Sequence, residues 1–185
     1  MKRILQERVE GRNSMAKRIA LLSTGGTIAK TYNESDGSLA NQRCVLELML
    51  ASLVLHGVTV DQIPVMNKDS LDMTAEDHEQ IAAIAGIYAS SHDGVIVVHG
   101  TDRLTMTGDR IYERLADTLT VPIVLTGAMR PYELRTTDAT QNLTEALIAV
   151  QFLSPGVYCV MHNQVLSFPG VEKDYARMTF NKVDL

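Results

Sequence analysis

The chain has 185 residues, 45% of them hydrophobic and 21% charged, and a formal net charge of −5. That length supports one sizeable domain with a real core and leaves no room for a second full one. Lysine and arginine are scattered rather than gathered into a basic stripe, which argues against a nucleic-acid partner, and no apolar run is long enough to span a membrane.

Residues 1–18 read as an N-terminal extension, and 19–185 as a single α/β unit. The extension mixes Lys2, Arg3, Glu7, Arg8 and Glu10 with no apolar core. It is not a secretory signal peptide, so the expected compartment is the cytoplasm. Cys44 and Cys159 lack metal-ligand spacing and are expected as separate thiols in a reducing environment.

Residues 19–23 form a short apolar run that ends in Thr24-Gly25-Gly26-Thr27. Helical spacing of Val45, Leu46, Leu48, Met49 and Leu53 predicts a helix over 43–56, closed by Gly57. Residues 58–65 read as a strand that ends around Pro64. Thr74 is the expected N-cap of the next helix, with Glu76 and Asp77 in its first turn. The unbroken apolar run 94–98 is what a strand buried on both faces looks like. A helix over 105–119, a strand over 121–125, a helix over 136–152 and a strand over 157–161 complete the rhythm. Alternation of this kind predicts a doubly wound, mostly parallel sheet flanked by helices.

Ligands bind such sheets beyond the carboxyl ends of the strands, where the strand order reverses. That rule selects the loops 24–41, 67–74, 99–107 and 127–138. Gly25 and Gly26 allow a tight turn and a close backbone approach, although a plain strand-to-loop turn explains them equally well. The spacing is neither that of a phosphate-binding loop nor that of a dinucleotide fingerprint. In His99-Gly100-Thr101-Asp102 a hydroxyl stands beside a carboxylate at the mouth of the sheet, as a nucleophile pair or an amine-binding pair would. The bland alternative makes Asp102 a helix cap, and His99 reads as a packed, hydrogen-bonded residue. Asp69 to Thr74 supplies a turn and a cap, leaving Ser70 and Asp72 to face a ligand. His56, His78, His92 and His162 form no metal pattern.

Taken in order, Thr24-Gly25-Gly26-Thr27-Ile28, Asp69-Ser70-Leu71-Asp72-Met73-Thr74, His99-Gly100-Thr101-Asp102 and Thr126-Gly127-Ala128-Met129-Arg130-Pro131 resemble the L-asparaginases, most of all the cytoplasmic bacterial type. The resemblance runs from about Ile19 to Phe180. It implies hydrolysis of L-asparagine to aspartate and ammonia, with Thr27 as the nucleophile, no metal or cofactor, and a homo-oligomer. It places Thr101, Asp102 and Lys173 in the catalytic set. Ser70 would hold the substrate α-carboxylate, Asp102 the α-amino group and the Ala128 carbonyl the amide, and Tyr32 is the candidate tyrosine of a closing loop. Lys173 could take a hydroxyl proton only as the neutral amine, which burial favours and a neighbouring carboxylate opposes.

Three departures stand out. Family members of standard length carry a C-terminal domain that helps complete a neighbouring subunit's pocket, and these 185 residues are expected to stop before it. Arg103 replaces a usual threonine, and Asp138-Ala139 replaces the common Asp-Gly pair. Two other functions fit the same residues: a non-catalytic sensor of an acidic amino acid, and an ammonia-supplying amidotransferase subunit.

Overall fold

The computed structural model describes residues 16–32, 39–40 and 45–183. Cys44 and most of the 24–41 loop lie outside them. In chain order the strands are β1 (Lys17–Gly25), β2 (Thr31–Tyr32), β3 (Leu39–Ala40), β4 (Val58–Lys68), β5 (Gly94–Val98), β6 (Pro122–Thr126), β7 (Gly156–Met161), β8 (Gln164–Ser167), β9 (Val171–Asp174) and β10 (Thr179–Lys182). The helices are α1 (Val45–Ala51), α2 (Ala75–Ala89), α3 (Leu104–Leu115) and α4 (Ala139–Phe152), with 3-10 turns at Thr27–Ala29 and Ser70–Asp72.

Six strands form one sheet in the order β4-β1-β5-β6-β7-β8. All neighbours run parallel except β7 and β8. β1 takes in Lys17 and Arg18, two residues ahead of the boundary read from the sequence. β5 is fully enclosed along its length, and each of its buried valines and its isoleucine contributes about 1.5–3 kcal/mol. α2 and α3 cover one face through Ile81, Ala82, Ala85, Leu104 and Ile111. α1 and α4 cover the other through Met49, Leu50, Leu143, Leu147 and Val150. The sheet is therefore doubly wound, as the sequence pattern predicts.

Pro64, expected to end its strand, sits inside β4 opposite Ser23. β4 is an edge strand, the position in a sheet where proline is tolerated. The helix expected over 105–119 ends at Leu115, and the one expected over 43–56 spans only Val45–Ala51. Thr74 caps α2 as expected: it accepts from Asp77 N while the Asp77 carboxylate accepts from Thr74 N.

Two hairpins were not visible in the sequence pattern. β7 turns into β8 through His162 and Asn163, both at positive φ, which is the two-residue turn that suits strand twist. β9 and β10 form a separate antiparallel ribbon, pinned to the core by Val171 and Phe180. That ribbon carries Lys173.

Candidate active site

The chain leaves β1 for β4 on one side and then crosses to β5 on the other, so the switch point lies between the ends of β1 and β5. At that point Thr24 Oγ1 donates to the Val98 carbonyl at 3.0 Å, holding the two strand ends together. Gly26 has a φ of +86°, and a Cβ there would fall 2.5 Å from Gly100 Cα. A Cβ on Gly100 would fall 2.6 Å from Ser70 Oγ, and one on Gly127 2.3 Å from the His99 carbonyl oxygen. Backbone from four loops thus meets in one cluster, and Thr27, Thr101 and Ala128 each follow one of its glycines.

Lys173 reaches into this cluster from β9. Its Nζ donates to Thr101 Oγ1 at 2.9 Å and to Asp102 Oδ1 at 2.7 Å. The lysine side chain is 8% exposed and the aspartate 29%. Tyr175 follows on the same ribbon and lays its ring 4.9 Å from the lysine nitrogen. Thr101 is buried, whereas Thr27 is half-buried in its 3-10 turn and its hydroxyl bonds no described residue. Asp102 does not cap α3, because Arg103 holds the N-cap position, with no side-chain capping bond. Its carboxylate is committed to Lys173 instead.

Further contacts brace the loops. Lys30 pairs with Asp69 at 2.7 Å, tying the turn at Thr27 to the turn at Ser70. Its ammonium, with the Leu71 N–H, holds the Asp69 carboxyl below its ordinary range. Arg103 donates to the Met73 carbonyl, so the residue that departs from the family pattern clamps the loop after β4 to the loop after β5. Asp138 accepts from Met129 N, Arg130 N, Asn142 Nδ2 and His162 Nε2, and so shapes the loop around Ala128. Burial alone would push the Asp138 carboxyl up; its donors, led by Met129 N and His162, outweigh that and hold it low.

Ser70, read from the sequence as facing a ligand, is fully buried against Gly100, and its Oγ has no partner among the described residues. Ala128 is buried at the rim of the same cluster. The Tyr32 side chain lies outside what the structure describes. Among the described residues no three His, Cys, Asp or Glu side chains converge as a metal set, and no helix is long and apolar enough to cross a membrane. Lys30, Arg103, Asn142 and Tyr175 went unassigned in the sequence. Only Tyr175 left a trace there, as an aromatic residue two positions beyond Lys173.

Fold and site define a doubly wound α/β protein with two threonines, a lysine and an acid gathered at the switch point. Comparison with known proteins narrows that class. The family model described as Asparaginase, N-terminal matches residues 18–181, and the chain belongs to the asparaginase family. It is 29% identical over 157 residues to the L-asparaginase of Thermococcus kodakarensis, covering 84% of this chain and 47% of that protein. The solved structure of that thermostable enzyme superposes with a TM-score of 0.82 at 27% identity, covering 91% of this chain and 52% of the other. A glutamyl-tRNA(Gln) amidotransferase subunit of Thermoplasma acidophilum is 29% identical over 134 residues, covering 71% and 32%. The probable cytoplasmic L-asparaginase of Campylobacter jejuni superposes with a TM-score of 0.74 at 28% identity, covering 90% and 51%. The chain spans less than half the length of both curated relatives.

Proposed function

We propose that the chain carries the acyl-transfer site of a cytoplasmic amidohydrolase that converts L-asparagine to L-aspartate and ammonia through a threonine ester. The observation that carries this reading is the bridge from Lys173 to both Thr101 and Asp102, one residue from the Gly26–Gly100 contact that brings in Thr27.

In this reading the Thr27 oxygen attacks the side-chain amide carbon. Its proton passes through the Thr101–Lys173 pair to the amide nitrogen, the C–N bond breaks, and ammonia leaves. Water then opens the ester by the reverse traffic, returning the proton to Thr27 and releasing aspartate. Lys173 can accept a proton only after giving one up, and Asp102 orients it. Ser70 and Asp102 recognise the α-carboxylate and α-ammonium, the Ala128 carbonyl meets the amide, and Tyr32 belongs to the closing loop. The active form is a homo-oligomer.

The test is ammonia release from L-asparagine by the wild type, Thr27→Ala and Thr101→Ala, with mass spectrometry of acid-quenched enzyme to find the acylated peptide. Loss of turnover in both variants with the acyl group on Thr27 supports the reading. Unchanged rates in both would refute the threonine mechanism. Acylation on Thr101 would exchange the roles of the two hydroxyls, an outcome favoured by the direct Lys173 contact.

The amidotransferase relative supports a second reading, in which the released ammonia goes to a partner protein. Co-purification of such a partner, with turnover that depends on it, would decide for that reading. Aspartate binding in calorimetry without turnover of any amide would mark a sensor.

A further inference from the structure

α2 and α3 each set a polar residue on their buried stripe: His78 ahead of Ile81 and Ala85, and Thr107 between Leu104 and Ile111. Thr107 Oγ1 lies 2.6 Å from His78 Nδ1 and 2.8 Å from His99 Nε2. His99 Nδ1 lies 2.8 Å from the Gly100 carbonyl oxygen. The two imidazoles stack with centroids 6.2 Å apart, and all three side chains are buried.

One end of this series fixes the order of its protons. A carbonyl oxygen only accepts, so His99 carries its proton on Nδ1 and presents a lone pair at Nε2. Thr107 therefore donates to His99, which leaves its own lone pairs for His78, and His78 must donate from Nδ1. His78 Nε2 remains a buried acceptor with no partner among the described residues. Desolvation keeps both rings neutral: it pushes His99 down to about 4 and lowers His78 as well, with Arg103 adding to the effect on His78 and Asp77 opposing it.

The other end lies at the catalytic cluster. In a trans peptide the Gly100 C=O and the Thr101 N–H point in opposite directions. Holding the carbonyl against His99 turns that N–H away from the ring, and it bonds no described residue. We infer that Thr107 and His78 are positioning residues, which hold His99 in one tautomer and so aim the Thr101 N–H at the charge that develops on the amide oxygen. The inference rests on the amidohydrolase reading above. Neither residue touches the reacting atoms. A donor in a water-poor site works only if it is oriented before reaction, and a free Gly100 peptide could rotate.

Thr107→Val keeps the shape of the side chain and removes both hydrogen bonds, whereas Thr107→Ser keeps them. In ammonia release, the valine variant should lose about tenfold or more in kcat at a nearly unchanged KM, as expected for a contact made in the transition state. The serine variant should return to within about threefold of wild type. Long-range proton–nitrogen spectra of histidine-labelled wild type should show His99 protonated on Nδ1 alone. The Thr101 amide resonance should move in the valine variant and return in the serine variant. A His99 protonated on Nε2, an unmoved Thr101 amide, or a loss confined to KM would each overturn the inference. The wild-type tautomer needs no substitution, so it decides even if the valine variant fails to fold. A wild type that turns over no amide refutes the hydrolase reading and the catalytic role together. An active wild type with the wrong tautomer or kinetic pattern refutes the positioning role alone.

Discussion

Gly100→Ala is the sharpest perturbation of the loop cluster. Gly100 is not among the positive-φ glycines, so alanine meets no backbone strain and the whole effect is steric. The new Cβ would sit 2.6 Å from Ser70 Oγ, 2.7 Å from Ser70 Cβ and 3.2 Å from Ser70 N. Carbon atoms in contact prefer about 3.5–4.0 Å, so one loop must give by about 0.8 Å. Ser70 cannot yield by a rotamer change alone, because its Cβ and N are involved. Its turn is also held by Leu71 N to Asp69 Oδ1, Asp72 N to Asp69 O and the Lys30–Asp69 pair. Overpacking of this kind costs about 1–3 kcal/mol. In a chain of this size that lowers Tm by about 3–10 °C. A displacement near 1 Å at reacting groups costs about 100-fold in kcat/KM. Thermal unfolding and ammonia release should be measured for Gly100→Ala, Ser70→Gly and the double variant. The double variant removes the obstructing atoms and should regain most of the lost stability. It should not regain substrate affinity, since the hydroxyl read as the carboxylate donor is gone. An unchanged Tm and kcat/KM in Gly100→Ala, or a double variant no more stable than that single one, would refute the contact and the loop cluster built on it.

Lys173→Met should lower turnover by about 10²–10⁴-fold while leaving a folded protein, because Asp102 keeps access to water; steady-state rates beside circular dichroism check it. Asp138→Asn should cost about 2–3 kcal/mol at pH 7, since it weakens several donors to one buried carboxylate. The folded-state pKa of Asp138 is depressed, so its contribution is present above the ordinary value of 3.8 and is lost as pH falls through the folded value. The Tm gap between wild type and variant should therefore close in acid, and a gap independent of pH would contradict the assignment. Asp77→Ala removes half of a capping box and the 2.7 Å pair with Lys68, for a loss of about 1–2 kcal/mol. Denaturant midpoints at constant m would register that loss.

The layered sheet was legible because its central strands are buried on both faces and its helices keep an apolar stripe, so period and composition agreed. The α2 capping box was legible for the same reason, being local. What escaped was set by distant partners. Pro64 looks like a strand breaker until the edge position of β4 is known. His162-Asn163 lacks the glycine that usually marks a two-residue turn. Lys173 was placed by resemblance alone, since nothing local relates it to Thr101, which is 72 residues away in sequence. Ser70 was read as facing a ligand, and the close approach of Gly100 that helps enclose it has no local signal. Thr107 and His78 left a weak trace as polar residues on otherwise apolar stripes.

The cluster owes its location to topology and its precision to backbone contact. Strand order alone delivers the loops after β1 and β5 to one place, but only to within a loop's freedom. The remaining freedom is removed where main chain meets main chain, at Gly26 against Gly100 and at Gly127 against the His99 carbonyl, and where buried donors fix single peptide planes. The bridging lysine comes last in the chain and from a ribbon outside the main sheet. A lysine bridge assembled in this order needs the ribbon to dock on a finished α/β core, because Val171 and Phe180 anchor it there. Phe180→Ala, at a cost of about 3–5 kcal/mol if the chain stays folded, should then abolish turnover by releasing Lys173 while β1 and β5 keep their amide protection in hydrogen exchange. Equal loss of protection in β5 and β9 would mean that ribbon and core form one cooperative unit, and the stepwise assembly would be wrong.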